Sequence, residues 1–261
     1  MLNFISALVN VHLQKKLILE KKVTPYKDSE LAKKKQVEQM FDNISENYDS
    51  LNRVISLGTD QSWRRKLIEI IKSTQPETIL DVATGTGDLA IALADSSVKK
   101  IIGLDISAGM LSVGQKKINA KNLDQKIEMV QADSEDLPYD DDYFDAITVA
   151  FGVRNFENLD KGLQEINRVL KPGGIFVVLE TSVPTKFPFK QGYKIYSNAI
   201  LPTIGKLFSK DKSAYAYLSE SASQFPFGEA FNNILKKNGF SNVKDLPQTF
   251  GVATIYVASK S

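Results

Sequence analysis

The sequence predicts an α/β protein with a doubly wound, mostly parallel sheet that ends in an antiparallel edge strand. Short apolar runs alternate with segments of helical periodicity from residue 78 to residue 180, which is typical of parallel strands joined by helices. A glycine loop, Gly85-Thr86-Gly87, follows the first apolar run and leads into a helix. Two β-rich runs, 241–246 and 252–258, are close enough to pair as an antiparallel hairpin.

The first half of the chain contains the elements that lead into the glycine loop. Helices are expected over 31–43 and 60–73, and the second places Trp63 on its apolar face, as expected for a core residue. The strand over 78–83 lacks polar alternation, which indicates burial on both faces of a sheet. Apolar residues at helical spacing then predict a helix over 88–95.

The second half continues the alternation of strand and helix. The further strands are expected over 100–105, 127–132, 144–150 and 174–180, and the further helices over 108–121, 160–170 and 228–237. The turn Lys-Pro-Gly-Gly at 171–174 is expected to end one helix and open the fifth strand. The sequence has no internal repeat and no interdomain linker, so residues 23–261 are expected to form one domain.

The residues around the glycine loop indicate its ligand. Gly85 and Gly87 allow a tight turn and a close approach of backbone amides, and the next helix offers unpaired N–H groups at its N-terminus. This spacing also fits the loose dinucleotide fingerprint. Asp81 favours another ligand, because a carboxylate there would repel a pyrophosphate but can accept hydrogen bonds from an ammonium group. A nucleoside carrying an amino acid, S-adenosylmethionine, is therefore expected in a loop that includes Thr86.

Acidic residues that follow the next two strands fit the same ligand. Asp105 lies where an acid accepts hydrogen bonds from a ribose diol, in dinucleotide and S-adenosylmethionine sites alike. Asp133 can accept from the adenine amine, and the backbone of Ser134 can reach the ring nitrogens. Each acid alone could be a loop or cap residue. Together with Asp81 they predict an adenosine site at the carboxyl edge of the sheet.

Composition excludes several other kinds of site. The chain has 261 residues, enough for one large α/β domain, and its net charge of +2 gives no reason to expect a nucleic-acid partner. The absence of cysteine excludes disulfides and thiol catalysis and is typical of a reducing, cytoplasmic setting. The one histidine, His12, lies far from every motif, so no metal site is expected.

Two segments stand outside the alternating pattern. Residues 1–22 begin with apolar residues but lack the basic start and the cleavage site of a signal peptide, and we interpret them as an amphipathic or disordered extension. No stretch approaches the ~18 apolar residues of a membrane span. Residues 183–228 form an insertion rich in aromatics, which is expected to form helices over the carboxyl edge of the sheet. Most of its aromatics are expected to pack the insertion onto the domain, and some to line an apolar pocket.

Two stretches that flank the predicted nucleotide site resemble the ubiquinone/menaquinone biosynthesis C-methyltransferases. The first is YDSLNRVIS at 48–56, continuing to Trp63, and the second is RVLKPGG at 168–174, continuing to Glu180. The stretch FGVRN at 151–155 lies between them. The resemblance covers nearly all of the chain from residue 33. It implies the Rossmann-like fold of class I S-adenosylmethionine-dependent methyltransferases and a polyprenyl quinol substrate.

By this resemblance the reaction is C-methylation of demethylmenaquinol in menaquinone synthesis or of a methoxylated benzoquinol in ubiquinone synthesis, with the naphthoquinol favoured. Peripheral contact with the inner face of the cell membrane and a homodimer are further expectations. The chain departs from the family at three positions: Asp60 replaces the usual His, Leu51 replaces the usual Met, and Ala150 replaces a Ser that contacts the cofactor in some members. These changes exclude roles for that His and that Ser but keep the reaction class.

Methyl transfer to an aromatic carbon requires an electron-rich ring and the removal of a phenolic proton. Because no histidine lies near the site, the candidate catalytic groups are the polar residues beside the nucleotide loop: Tyr48, Asp49, Arg154 and Asn155. Arg154 would stabilise a developing phenolate or relay its proton through water. Alternatively, Arg154 forms a surface ion pair with Glu157 or Asp160, and Tyr48 and Asp49 only close a lid over the cofactor.

Two other classes of protein were weighed against a methyltransferase. An oxidoreductase that uses NAD would explain the glycines and Asp105, but not Asp81 or the lack of a catalytic His, Cys or Tyr-x-x-x-Lys group. A binding module that has lost catalysis would keep the cofactor site. The three intact acids argue against it.

Overall fold

The computed structural model describes residues 23–94, 97–200 and 211–261, and the extension predicted for residues 1–22 lies outside these ranges. The strands are β1 (Thr78–Val82), β2 (Lys100–Asp105), β3 (Ile127–Gln131), β4 (Phe144–Ala150), β5 (Leu170–Thr181), β6 (Phe240–Gln248) and β7 (Ala253–Lys260). In the described ranges they form one sheet in the order β3-β2-β1-β4-β5-β7-β6. The predicted hairpin is confirmed, because β7 pairs antiparallel with both β5 and β6.

Helices cover the sheet and its carboxyl edge. They are α1 (Lys33–Ile44), α2 (Tyr48–Ser56), α3 (Asp60–Ser73), α4 (Asp88–Leu93), α5 (Ala108–Ala120), α6 (Leu159–Val169), α7 (Phe189–Ile195), α8 (Lys212–Gln224) and α9 (Glu229–Lys237). The predicted helices are confirmed to within about two residues at each end, whereas α2, α7 and α8 had no predicted bounds. No helix in the described ranges is long and apolar enough to cross a bilayer.

The lack of polar alternation in β1 has the predicted cause. Leu80 and Val82 pack into the core on one face of the sheet, and Ile79 packs into the core on the other. Leu67 and Trp63 of α3 belong to this second core, so the prediction of a buried Trp63 is confirmed. A central strand that is buried on both faces needs apolar residues at consecutive positions.

The order of the strands places a crevice next to the glycine loop. β1 lies between β2 and β4 and runs parallel to both. The chain leaves β1 for β2 and β3 on one side, then returns to β4 on the other side. Connections that diverge from neighbouring parallel strands leave a crevice at the carboxyl ends of those strands, where α/β proteins bind ligands.

The predicted turn at 171–174 is wrong in its position. These residues lie inside β5, and Leu170 already pairs with Phe144 of β4. A register shift follows that pair, and Gly173 has a φ of 76°. A Cβ on Gly174 would lie 2.8 Å from a backbone carbonyl oxygen. The two glycines therefore accommodate an irregularity within the strand, and α6 ends before them.

The insertion after β5 contains α7, a π-helical segment (Tyr196–Ile200) and α8. Residues 201–210, which include Phe208, lie between the π-helical segment and α8 and are outside the described ranges. The expectation that most of the insertion's aromatic residues pack onto the domain is wrong for the described residues, because more of them line a cavity than lie in a core. Tyr217 and Phe225 are buried in cores. The others that face a large cavity are Phe189, Tyr193, Tyr196 and Tyr215.

Candidate active site

Three adjoining cavities open around the carboxyl ends of β1, β2, β3 and β4. The Asp105 cavity, as we name the first, is lined by Asp105, Asp133 and Ser134 among others. The Asp81 cavity, of about 340 Å³, lies between the glycine loop and α3. The aromatic cavity, of about 940 Å³, lies beneath the insertion. Tyr48, the first residue of α2, lines all three, so the cavities meet at its ring.

The glycine loop separates the Asp105 cavity from the Asp81 cavity. Ala83, Gly85 and Gly87 have positive φ values of 52°, 57° and 75°. Glycine adopts this conformation without strain, and the non-glycine Ala83 is held there by its surroundings. A Cβ on Gly85 would lie 3.9 Å from Cε1 of Tyr48. Gly85 therefore leaves open the space between the two cavities. A larger side chain at this position would partly fill that space.

Asp81 lies almost fully buried at the wall of the Asp81 cavity. Its two carboxylate oxygens accept hydrogen bonds from the hydroxyls of Thr84, at 2.6 Å, and Thr148, at 2.7 Å. Burial raises the pKa of Asp81 to about 6, and the two threonine hydroxyls oppose this rise. A carboxylate oxygen can accept more than one hydrogen bond. Asp81 thus keeps acceptor capacity for the ammonium group that the sequence predicts as its partner.

A cationic side chain shares the Asp81 cavity, and the sequence reasoning missed it. Arg64 of α3 lies 3.7 Å from Asp60, and its guanidinium carbon lies 5.5 Å from the ring centre of Phe151. Its Nε is buried and has no hydrogen-bond partner among the described residues. Asp81 and Arg64 therefore give this cavity an acceptor for an ammonium group and a donor for a carboxylate. The i, i+4 spacing of Asp60 and Arg64 was the available signal.

The predicted ribose acceptor, Asp105, also holds the glycine loop in place. One carboxylate oxygen accepts from the backbone N–H of Gly85 at 2.8 Å, and the other accepts from the N–H of Ser107 at 2.9 Å. Burial raises the pKa of Asp105, while these backbone donors lower it. The side chain lines the Asp105 cavity. The carboxylate that lines this cavity therefore also fixes the geometry of the glycine loop.

Asp133 and Ser134 lie at the far end of the same cavity. Lys34 of α1 forms an ion pair with Asp133, and the backbone N–H of Glu135 donates to Asp133 at 2.9 Å. The adenine-amine acceptor predicted from the sequence is thus within the cavity, but it already has a cationic partner. A helix from the N-terminal part of the chain closes this end of the site.

Thr86 and Asp49 face the Asp81 cavity. The Thr86 hydroxyl donates to Asp49 at 2.6 Å, and Lys117 of α5 donates to Thr86 and forms ion pairs with Asp49 and Asp88. Asp49 therefore connects α2 to the glycine loop. Asp49 does not line the aromatic cavity, so it is not placed to contact a substrate in that cavity. Its position between α2 and the glycine loop instead suits closure of the predicted cofactor site.

Arg154 lies at the wall of the aromatic cavity and is buried. The surface ion pair with Glu157 or Asp160 is wrong, because Arg154 forms an ion pair with Glu180, a fully buried residue at the end of β5. Burial disfavours the charge of Arg154, but Glu180 and the nearby Tyr48 and Tyr217 outweigh it, and the pKa of the guanidinium is raised. Its Nε is buried without a partner among the described residues.

Asn155 faces away from Arg154 into the Asp105 cavity. Its side-chain oxygen accepts from the hydroxyl of Tyr217 at 3.1 Å, and its amide donates to the carbonyl of Phe151 at 3.4 Å. The two neighbouring residues predicted as a catalytic pair therefore line different cavities. The 3-10 turn Val153–Asn155 that follows β4 turns the two side chains apart, a detail that periodicity does not reveal.

The aromatic cavity is apolar apart from a few oriented groups. Trp63 lines it and donates from its indole nitrogen to the hydroxyl of Thr249 at 2.7 Å, so this core residue also faces the cavity. Burial raises the pKa values of Tyr193 and Tyr196, which remain neutral at physiological pH. The rings of Phe189 and Phe250 stack with centroids 3.8 Å apart and join the insertion to the turn before β7.

The ubiE/COQ5 methyltransferase family model matches residues 29–260. The chain belongs to this family. A demethylmenaquinone methyltransferase of Bacteroides fragilis is 50% identical over 242 residues, which cover 92% of this chain and 98% of that protein. A ubiquinone/menaquinone biosynthesis C-methyltransferase UbiE of Geotalea daltonii is 46% identical over 231 residues, which cover 87% and 97%. The resemblance stated from residues 48–56, 151–155 and 168–174 is thereby confirmed.

Solved structures share the fold of this ubiE/COQ5 member. The cyclase SpnF superposes with a TM-score of 0.61 at 19% identity, covering 87% of this chain and 96% of that chain. An S-adenosylmethionine-dependent methyltransferase from Aquifex aeolicus superposes with a TM-score of 0.54 at 18% identity, covering 74% and 88%. The predicted class I methyltransferase fold is confirmed. Because the family is one of methyltransferases, the protein is an enzyme of that class. The alternative of an oxidoreductase that uses NAD is therefore wrong.

Proposed function

We propose that this enzyme transfers a methyl group from S-adenosylmethionine to a ring carbon of demethylmenaquinol. The observation that supports this most is the position of the aromatic cavity. It meets both cofactor cavities at Tyr48, and its volume of about 940 Å³ suits a two-ring quinol with the start of its tail. Relatives named demethylmenaquinone methyltransferase are 50% and 44% identical to the chain.

The residues of the two smaller cavities fit S-adenosylmethionine. Asp81 and Arg64 suit its ammonium and carboxylate groups, and Asp105 suits its ribose hydroxyls. Asp133 and Ser134 would hold the adenine, and the glycine loop with Thr86 would pass between the two halves. When bound, S-adenosylmethionine supplies an electrophilic methyl group on a sulfonium. Attack on that methyl needs an electron-rich carbon close to the point where the cavities meet.

Arg154 supplies a positive charge that stabilises the phenolate form of the quinol. The phenolate in turn makes the ring carbon nucleophilic. A guanidinium with a raised pKa stays protonated at any working pH, so it acts by stabilising a phenolate and not by taking up a proton. Its unpartnered Nε is a desolvated donor that lacks an acceptor in the described part of the chain. Glu180 holds the guanidinium from behind the cavity wall. The quinol proton would leave through water.

The neutral tyrosines of the cavity would orient the ring. Tyr193 and Tyr196 keep their protons because burial raises their pKa values, so Tyr193 can donate a hydrogen bond to a quinol oxygen. The hydroxyl of Tyr196 donates to the carbonyl of Ile55 in the described structure, which couples the insertion to α2. The candidate catalytic group is then Arg154 with Tyr48, while Asp49 and Asn155 position the cofactor side of the site.

A methoxylated benzoquinol remains the second candidate substrate, because one relative is named for both pathways. The test is transfer of labelled methyl from S-adenosylmethionine to short-tailed demethylmenaquinol and, separately, to the benzoquinol, with the products identified by mass spectrometry. We expect methylation of the naphthoquinol with the higher kcat/KM. Methylation of the benzoquinol alone would contradict the assignment, and methylation of neither would exclude both quinols as substrates.

We also propose that the enzyme is cytoplasmic and works at the inner face of the cell membrane, because its substrate carries an apolar tail. A single domain over residues 23–261 and a homodimer stay predictions. For the dimer, sedimentation of the purified protein across a range of concentrations is the direct measurement.

A further inference from the structure

Exposed apolar side chains gather at the mouth of the aromatic cavity. Leu57, at the end of α2, is 75% exposed, and Phe250, before β7, is 69% exposed, yet both line the cavity. Phe189, which stacks on Phe250, is 38% exposed. Three separate parts of the chain therefore bring apolar groups to one opening. Contiguous exposed apolar groups of this kind mark a surface that contacts a partner.

The helix α7 extends this apolar surface outward. Its residues Phe189 and Tyr193 face the cavity, whereas Phe187, just before it, is 80% exposed and Ile195 is 64% exposed. Neither Phe187 nor Ile195 lines the cavity, and both are exposed at the surface around α7. We name the group Leu57, Phe187, Phe189, Ile195 and Phe250 the portal rim.

A row of lysines borders the portal rim. Lys190 and Lys194 lie one turn apart on α7, Lys186 precedes the helix, and all three are exposed. Residues 182–210 contain five lysines and no aspartate or glutamate, in a chain whose net charge is only +2. The segment that carries most of the rim thus has five positive charges and no negative charge.

We propose that the portal rim docks on the surface of an anionic lipid membrane, with the lysine row at the head groups and the aromatic cavity open toward the bilayer. Apolar residues flanked by lysines on a short helix are the chemistry of interfacial membrane binding. The long stems of lysine allow their charges to reach the head groups while the rim enters the boundary of the acyl chains. The entry route for a tailed quinol rests on the proposed function, but the docking itself does not.

A second copy of the chain fits this surface less well. A symmetric contact would place the same surface against itself. It would therefore bring two lysine rows together in a segment that contains no acidic residue to pair with them. An anionic lipid surface supplies the missing charge.

The test compares binding of the full-length protein to phosphatidylcholine vesicles with and without phosphatidylglycerol, by flotation at low and high salt. One variant combines Lys186→Glu, Lys190→Glu and Lys194→Glu, and another combines Phe187→Ser and Ile195→Ser. The matched control is Lys72→Glu, Lys116→Glu and Lys236→Glu, which makes the same change of net charge at exposed lysines on α3, α5 and α9. These three helices lead into the amino ends of β1, β3 and β6, at the opposite edge of the sheet.

We expect the wild type and the control to bind only the vesicles with phosphatidylglycerol, and to leave them at high salt. The lysine variant should bind about 100-fold more weakly and the apolar variant about 10-fold more weakly. All variants should methylate a short-tailed quinol in solution at the wild-type rate. The two rim variants should lose rate with long-tailed quinol in vesicles.

Equal binding to both kinds of vesicle, or rim variants that bind as well as the wild type, would overturn the proposal. A wild-type dimer that the apolar variant dissociates would assign the rim to a second copy instead. Failure to methylate any quinol, with vesicle binding intact, would remove the proposed substrate and leave the docking surface standing.

Discussion

Arg154 and Glu180 form a buried ion pair at the wall of the aromatic cavity, and they come from the ends of neighbouring strands. Arg154 follows β4, Glu180 lies near the end of β5, and β4 and β5 run parallel. Glu180 also accepts from the backbone N–H of Thr181 at 2.8 Å, while its second carboxylate oxygen has no partner among the described residues. The pair places a fixed positive charge at a cavity of about 940 Å³, which is large enough for an aromatic substrate.

Replacement of Arg154 should affect turnover more than cofactor affinity. We expect Arg154→Ala to lower kcat by ~100-fold or more, because the charge that stabilises the phenolate is lost. Arg154→Lys should recover part of this rate, since a point charge lacks the planar fork. The affinity for S-adenosylhomocysteine, measured by calorimetry, should stay close to that of the wild type in both variants and also shows that they fold. Near-normal turnover of the alanine variant would leave Tyr48 as the better catalytic candidate.

Stability should reveal the ion pair in a double-mutant cycle. Glu180→Gln leaves a buried guanidinium without its anion, and Arg154→Met leaves a buried carboxylate, so each alone should cost about 3–5 kcal/mol of unfolding free energy. The double variant should be more stable than either single variant, because both charges are removed together. Urea denaturation of all four proteins gives these free energies. Additive effects would mean that the two side chains do not interact.

Asp81 should make both stability and cofactor binding depend on pH. Its pKa is raised from 3.8 to about 6, so the charged form is penalised in the folded state. The folded state therefore loses stability as pH rises from 3.8 through 6, by up to about 3 kcal/mol. Asp81→Asn removes this penalty and should stabilise the unliganded protein at pH 7.5 but not at pH 4, as measured by urea denaturation.

The same substitution should weaken S-adenosylmethionine binding at pH 7.5, because the amide cannot offer a carboxylate to an ammonium group. In the wild type the affinity should fall as pH drops through about 6, where Asp81 takes up its proton. A stability difference between Asp81→Asn and wild type that is the same at both pH values would contradict the burial of a charged Asp81.

Asp105→Ala should weaken S-adenosylmethionine binding by about 1.5–3 kcal/mol, because it removes the ribose acceptor and releases the N–H of Gly85. Asp145→Ala is the matched control. This aspartate accepts from the backbone N–H groups of Glu77 and Thr78, at the opposite edge of the sheet. It should lower stability and leave the calorimetric dissociation constant unchanged. An unchanged constant for the Asp105 variant would remove that residue from the cofactor site.

Arg64→Met should separate the two halves of the cofactor. If Arg64 binds the carboxylate, the variant should bind S-adenosylhomocysteine at least about 10-fold more weakly, but it should bind adenosine as the wild type does, because adenosine does not reach the Asp81 cavity. Methionine keeps the apolar packing on Phe151. Calorimetry with the two ligands gives the comparison, and equal losses for both would indicate a general change of the site.

The sequence by itself determined the order of strands and helices along the chain. Burial requires apolar residues at one spacing in a strand and at another spacing in a helix. The sequence also predicted that Asp81, Asp105 and Asp133 lie near one another, since they are at or just after the carboxyl ends of strands that the tertiary structure sets side by side. The glycine loop could also be predicted from the sequence, because backbone positions with positive φ favour glycine.

Only the tertiary structure decided which side chains share a cavity. Arg64 and Asp81 are far enough apart along the chain that no periodicity joins them, yet they line one cavity. Arg154 and Asn155 are neighbours in sequence, yet a 3-10 turn sends them into different cavities. Glu180 follows the apolar run 175–179 of β5, and its partner is set by the register of β4 and β5. Such contacts depend on how distant segments of the chain pack together, and a local sequence pattern does not determine that packing.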